Sequence, residues 1–410
     1  MSQTSLQQPV VAGVVAALVG FTSSFAVVLA GLRAAGATDA EAASGLLALS
    51  VVFGLAMIAL SWRTRSPVTL AWSTPGAALL VSTGTVEGGW AAAVGAFVLT
   101  GVLLALTGLV PALGRLAAAI PVPLAQAMLA GVLLQLCLAP FVALAESPGW
   151  VAPVVLVWLV AQRWLPRWAV PLALVAALTV IAISAATTDV SVVAADLVPR
   201  LDLTTPTLTV AAVVGIAVPL TVVTMASQNV PGVAVMRSFG FMVPWRAAMV
   251  TTGAGTSIAA FFGGHAINLA ALSAALAAGP EAGERSRRWI AGISAGTSYL
   301  VLALVSGALV AVTTAAPPGI VETVAGLALL TTFATAVLGA LSAQRHRTSS
   351  VVTFLVAGSG MQVLGVGAAF WALVLGLAVR VVLERSGPDD PPDRPMDQAD
   401  GEGDGPPIRP

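Results

Sequence analysis

Pro67-Val-Thr-Leu-Ala-Trp-Ser-Thr-Pro-Gly-Ala-Ala-Leu-Leu80 is apolar but too interrupted to be one membrane helix. Val68 to Trp72 is rich in β-branched and aromatic residues and follows a proline, which reads as extended chain. Ser73-Thr74-Pro75 reads as a helix start, with a hydroxyl at the cap and a proline in the first turn. The segment is therefore an extended piece followed by a half-helix. Gly263-Gly-His-Ala-Ile-Asn-Leu-Ala-Ala-Leu-Ser-Ala-Ala-Leu276 has the same design in the second half of the chain. Its Gly-Gly opens a short extended stretch, and Asn268 is the expected cap of the next half-helix. Unwound backbone is tolerated at membrane depth only inside protein or against a water-filled cavity. Two half-helix N-termini aimed at one place offer partial positive charge and free N–H groups. That is an anion site requiring no charged side chain.

The rest of the chain supplies the membrane. Of 410 residues 58% are hydrophobic and 9% charged, with mean hydropathy +0.97; soluble domains carry roughly 25% charged residues. A membrane helix needs about 20 apolar residues. Beside the interrupted segments 67–83 and 264–279, spans are expected near 10–32, 42–61, 88–110, 121–144, 150–162, 168–186, 207–236, 245–262, 286–313, 319–341, 348–366 and 368–384. The fold class is thus an all-α polytopic membrane protein of fourteen segments. The arginines orient it. With the N-terminus inside, the inner loops and helix ends hold Arg63, Arg65, Arg115, Arg163, Arg167, Arg237, Arg246, Arg285, Arg287, Arg288, Arg345, Arg347, Arg380 and Arg385, while the outer side holds only Arg33 and Arg200. Asp39, Glu41, Glu87, Glu146, Asp189, Asp196 and Asp202 collect outside. This positive-inside bias places both termini in the cytoplasm of a bacterial plasma membrane. The stretch before the first span carries no basic residue, so that span reads as a membrane helix and not a signal peptide. Residues 386–410, rich in Pro, Gly and Asp, read as a disordered cytoplasmic tail.

Composition also excludes partners. Zero net charge gives no reason to expect nucleic acid, and the single Cys137 allows neither an intrachain disulfide nor a cysteine metal cluster. Gly292-Ile-Ser-Ala-Gly296 fits the G-x-S-x-G elbow of serine hydrolases but lies mid-helix with no strand before it; small residues four apart are a helix-packing motif. An intramembrane hydrolase using Ser294 is the remote alternative to a transporter.

The chain repeats internally. Ser23-Ser-Phe-Ala-Val-Val-Leu-Ala-Gly-Leu-Arg33-Ala-Ala-Gly36 matches Ser227-Gln-Asn-Val-Pro-Gly-Val-Ala-Val-Met-Arg237-Ser-Phe-Gly240 in the spacing of Ser, Arg and Gly. The copies begin in segments 1 and 8, an odd separation, so they are inverted in the membrane. Inverted repeats are a transporter signature, with the substrate at their interface. The expected halves are 1–203 and 204–385.

Trp72-Ser-Thr-Pro-Gly76, Ser227-Gln-Asn229 with Pro231-Gly232, and Gly263-Gly-His-Ala-Ile-Asn268 resemble the benzoate:proton symporter (BenE) family, over residues 8–385. That family resembles the nucleobase:cation and sulfate-type anion transporters. The resemblance implies two inverted repeats of seven segments, divided into a core (10–110 and 207–313) and a gate (121–186 and 319–384). It implies proton-coupled uptake of benzoate or a similar aromatic carboxylate by alternating access, with protons as coupling ion and no other cofactor. It also implies, by analogy, a homodimer. The nucleobase relatives carry carboxylates in segments 8 and 10, where this chain has Gln228, Asn229, His265 and Asn268. That departure argues against a nucleobase and leaves the proton carrier open; another small anion or nucleobase is the alternative substrate.

On this reading a carboxylate sits between the half-helix starts at Ser73, Thr74 and Gly76 and at Ile267 and Asn268. Ser227, Gln228 and Asn229 are substrate hydrogen-bonders or interhelical glue; Ser23, Ser24 and Phe25 occupy the matching place in the first repeat. Phe25 and Trp72 could stack on an aromatic ring or simply pack. His265, the only histidine within a span, is a proton carrier or a neutral residue holding a backbone carbonyl. Glu322 is a proton relay or a helix N-terminal carboxylate favoured by the dipole. Arg33 and Arg237 read as snorkelling anchors.

Overall fold

The computed structural model describes residues 4–110, 112–113, 121–188, 197–363 and 366–384. The tail from Ser386, along with Arg115, Asp189, Asp196 and Arg385, lies outside them. Among the described residues, seven helices are long and apolar enough to cross a membrane, eight if the bent pair Arg285–Ala303 and Ser306–Thr314 counts as one.

The first span consists of α1 (Thr4–Thr22) and α2 (Phe25–Ala34) with a turn between them, not the single helix expected near 10–32. Thr22, Ser23 and Ser24 all bond back to carbonyls three or four residues earlier, at Leu18 and Gly20, which breaks the ladder. Next come α3 (Asp39–Thr64), started by a Thr38–Glu41 capping box, β1 (Leu70–Trp72), α4 (Thr74–Thr83) and α5 (Gly89–Leu109). Then follow α6 (Val122–Glu146), α7 (Pro148–Trp164) and α8 (Ala169–Thr188).

The span α9 (Val210–Ser238) contains two π turns, Val213–Ala217 and Met225–Asn229. Each precedes a proline, Pro219 or Pro231. The wider turn relieves the clash between the ring and the carbonyl four residues back, so the chain stays helical through both prolines.

The second half continues with α10 (Trp245–Ala260), β2 (Ile267–Leu269), α11 (Ala271–Ala278), α12 (Trp289–Ala303), α13 (Ser306–Thr314), α14 (Ile320–Leu341), α15 (Arg347–Gly358) and α16 (Ala368–Leu383). Between α12 and α13 the axis bends by 52°, where Leu304 and Val305 bond three residues back. The unbroken span expected at 348–366 is corrected: α15 ends at Gly358, Gly360 takes φ +65, and a small β3–β4 pairing joins Gln362 with Gly367 and Val363 with Val366.

Small residues set the packing. A Cβ on Gly296 would stand 2.5 Å from the Gly54 carbonyl, so α12 lies directly on α3. Ser294 donates to Val10 O (2.8 Å), joining α12 to α1. The G-x-S-x-G stretch is therefore a helix contact. Helices α1–α5 and α9–α13 pack chiefly on one another, while α6 gathers α14 and α15 in a second group completed by α7, α8 and α16. The two half-helices are covered unequally. Helix α4 packs on α2 and is overlaid by α6 and α16 of the second group, where Gln362 donates to Thr83 O (3.0 Å). Helix α11 packs on α1, α9 and α12, and its Leu272 is 60% exposed.

Candidate substrate site

The two extended pieces pair antiparallel, Leu70 with Leu269, Ala71 with Asn268 and Trp72 with Ile267. Ser73 N–H bonds to Ala266 O (2.8 Å) and Ala270 N–H to Thr69 O (3.0 Å), extending the ladder at each end. A three-residue pairing would be marginal alone, and three side chains from two helices, α9 and α10, reinforce it. Asn229 Oδ1 accepts from Leu269 N–H (2.8 Å), Thr256 Oγ1 accepts from Ile267 N–H (2.9 Å), and Thr224 donates to Ser73 Oγ (2.9 Å). With its amide nitrogen turned towards β1, Asn268 donates to Ala71 O (2.6 Å) and Trp72 O (3.2 Å); the opposite orientation would set its oxygen against those two carbonyls.

Asn268 is thus a strand residue and not the cap of the second half-helix. Pairing with β1 runs to Leu269 and delays the helix start to Ala270, which makes no side-chain cap. The starts of the two half-helices consequently differ. Ser73 Oγ accepts from Gly76 N–H (3.1 Å), Ser73 O accepts from Ala77 N–H (2.8 Å), and Pro75 has no N–H. Among the described residues, only the Thr74 N–H meets no acceptor there. Gly76 is needed at this turn because a Cβ would collide with Leu220 and stand 2.8 Å from Ser73 Oγ. At α11 the first ladder bond is Ala274 N–H to Ala270 O (2.8 Å), and among the described residues no acceptor meets the N–H groups of Ala271, Leu272 and Ser273. Three free donors at an uncapped helix start form the stronger anion cradle.

His265 is wholly buried, with Nε2 3.0 Å from Ser73 O and Nδ1 without a partner. A carbonyl can only accept, so Nε2 carries the hydrogen and the ring links one broken segment to the other. Trp72 Nε1 donates to Ser24 Oγ (2.7 Å), which donates on to Gly20 O (2.8 Å), so the breaks in the first and third segments are joined. Trp72 and Phe25 are buried in an aromatic cluster with Phe21, Phe53 and Tyr299. Ser23, Thr74, Ser227 and Gln228 are half-buried near these breaks; Ser227 donates to Val223 O. Ile267 is buried in the strand pair. Glu322 stands apart, exposed in the first turn of α14. Thr224, Thr256, Tyr299 and Ser273 belong to this region and are absent from the sequence reading. Thr252 and Thr256, four apart in one span, gave a weak signal. Among the described residues no cluster of His, Cys, Asp or Glu could hold a metal ion.

A cavity of about 520 Å³ opens beside α11, lined by Gln7, Gln8, Val11, Ala12, Val15 and Leu276, with Arg167 and Glu281 at its polar edge. Leu276 and Leu272 share one face of α11, so this cavity borders the same side of the helix.

Residues 3–382 match the family model described as benzoate membrane transport protein, BenE. The chain is 37% identical over 373 residues to the inner membrane protein YdcO of Escherichia coli (strain K12), covering 91% of this chain and 95% of that one. It is 30% identical over 375 residues to the benzoate membrane transport protein of Acinetobacter baylyi (strain ATCC 33305 / BD413 / ADP1), covering 91% and 94%. In fold it is similar to the transmembrane domain of the cyanobacterial bicarbonate transporter BicA, with TM-score 0.59 at 17% identity over 92% of this chain and 98% of that chain. It is also similar to the murine anion transporter Slc26a9 in its inward-facing state, with TM-score 0.60 at 13% identity over 93% and 68%. A multi-pass membrane protein of this architecture, matched across nearly all of its length, is a transporter and not an enzyme, and the chain belongs to the BenE family of benzoate membrane transport proteins.

Proposed function

We propose that the protein takes up benzoate or a closely similar aromatic carboxylate together with a proton, by alternating access. The observation that carries this is the uncapped start of α11, three free N–H donors at the Thr69 end of the strand pair, with the Ser73 turn at its other end. The carboxylate sits there, with its ring towards the α1–α2 break and the half-buried Ser227–Gln228 turn. Inward movement of one negative charge against the membrane potential costs about 2.3 kcal/mol per 100 mV, and one accompanying proton cancels it. No carboxylate side chain among the described residues meets the half-helix starts, and His265 is committed to Ser73.

The short helices α7, α10, α15 and α16 and the two broken segments bring the count to fourteen segments in two inverted repeats. Helices α1–α5 and α9–α13 act as the core, and α6–α8 and α14–α16 as the gate, in the inner membrane with both termini cytoplasmic. The gate covers α4 and leaves α11 open beside the inner cavity, an inward-open arrangement. Bacterial relatives named for the inner membrane and for benzoate transport support this reading.

The test is uptake into proteoliposomes with a thermal-shift screen. Benzoate should stabilise the purified protein, and its uptake should alkalinise the external medium and collapse with a protonophore. Stabilisation by an inorganic anion or a nucleobase that benzoate does not displace would overturn the assignment, as would accumulation indifferent to the protonophore.

A further inference from the structure

Tyr299, on α12, is the only tyrosine in the chain. It is 1% exposed, with its ring 4.6 Å from Phe53 and 6.3 Å from both Phe21 and Trp72, centroid to centroid. Among the described residues its hydroxyl has no hydrogen-bond partner. A buried hydroxyl without a partner is costly, and phenylalanine would fill the same aromatic cluster without that cost. Packing therefore explains the ring and not the oxygen.

The oxygen has a particular neighbourhood. A Cβ on Gly20 would stand 2.5 Å from Tyr299 Oη and 3.1 Å from Ser273 Oγ. The phenol thus ends where α1, at a residue with no side chain, passes the first turn of α11. Ser273 is the third residue of that helix, and its N–H is one of the three free donors.

We propose that the Tyr299 O–H is a further donor to the substrate carboxylate, a positioning residue that completes the cradle made by the N–H groups of Ala271, Leu272 and Ser273. This rests on the reading that an aromatic carboxylate binds at α11. The phenol approaches from the α1–α12 side, while the backbone donors point along the helix axis. A planar carboxylate presents two oxygens and can satisfy both directions. Gly20 leaves the room for the hydroxyl.

The experiment compares wild type and Tyr299→Phe, purified in nanodiscs, by calorimetric titration with benzoate, by ligand-free melting and by uptake kinetics. Tyr299→Phe should melt at or above the wild-type temperature yet bind benzoate about tenfold or more weakly, as expected for a lost hydrogen bond to a charged group. KM should rise more than kcat falls. In wild type, infrared difference spectra with isotope-labelled tyrosine should show the single phenol band shifting on addition of benzoate. Gly20→Ala, which sets a methyl group against the phenol oxygen, should weaken binding in the same way. Equal benzoate affinity in Tyr299→Phe, or a phenol band unmoved by benzoate, overturns the proposal while leaving benzoate transport standing. Failure of the wild-type protein to bind benzoate overturns the parent reading and this role with it.

Discussion

The ring of His265 donates through Nε2 to the carbonyl of Ser73 at 3.0 Å, so the histidine before one half-helix holds the turn that starts the other. Replacing it by alanine should loosen the strand pair and lower the melting temperature, by about 1 kcal/mol of stability. Uptake should slow, but the protons moved per benzoate, measured together with a pH electrode and labelled substrate, should stay as in wild type. A ratio that falls in His265→Ala would make this histidine the proton carrier after all.

Ala270 stands where most helices have a capping side chain. Ala270→Ser should supply the missing acceptor to the first turn of α11 and stabilise the protein by about 1 kcal/mol. The same hydroxyl would occupy N–H groups needed by substrate. The expected result is a higher melting temperature with weaker benzoate binding, read in one thermal-shift titration. Stabilisation with unchanged affinity would place the carboxylate elsewhere.

Arg167 and Glu281 form a two-pronged ion pair (2.7 and 2.9 Å) between the turn before α8 and the turn after α11. Both side chains are exposed, so the pair adds little to stability. It joins the two helix groups at the edge of the cavity beside α11, and must part if they move against each other. Glu281→Gln should alter the exchange rate, by no more than about fivefold, with KM nearly unchanged. The difference should vanish in high salt, as screening would require.

Glu384, just past the end of α16, accepts from Ser349 N–H (2.8 Å), Ser349 Oγ (2.7 Å) and His346 Nδ1 (3.2 Å). Burial alone would raise its carboxyl, but these hydrogen bonds and the facing histidine hold it below the usual carboxylate range. A depressed carboxylate contributes stability above its unfolded pKa and loses it as pH falls through the folded value. Melting temperature should therefore be flat near neutrality and drop on acidification below pH about 4.5, the ordinary value. Glu384→Gln should be less stable at neutral pH and should lack that acid-side drop.

The sequence carried the broken segments plainly, because Ser73 before Pro75 and Gly263-Gly264 are local signals with local consequences. It also carried the helix contact around Ser294, since glycine spacing reports packing directly. It misassigned Asn268 because the length of a strand depends on its partner, and β1 lies far away in sequence. It passed over Tyr299 for a similar reason: nothing within α12 reveals that Gly20 and Ser273 meet its hydroxyl. The π turns of α9 were hidden because proline usually signals a break, and here the wider turn absorbs it.

The donors at the start of α11 are peptide groups, and every amino acid except proline brings one. Mutation at those positions can reshape the walls but cannot easily delete the cradle. On the proposed binding mode, relatives that share it are free to drift from one acid to another by changing what surrounds the ring, with the hold on the charged end inherited through the backbone itself.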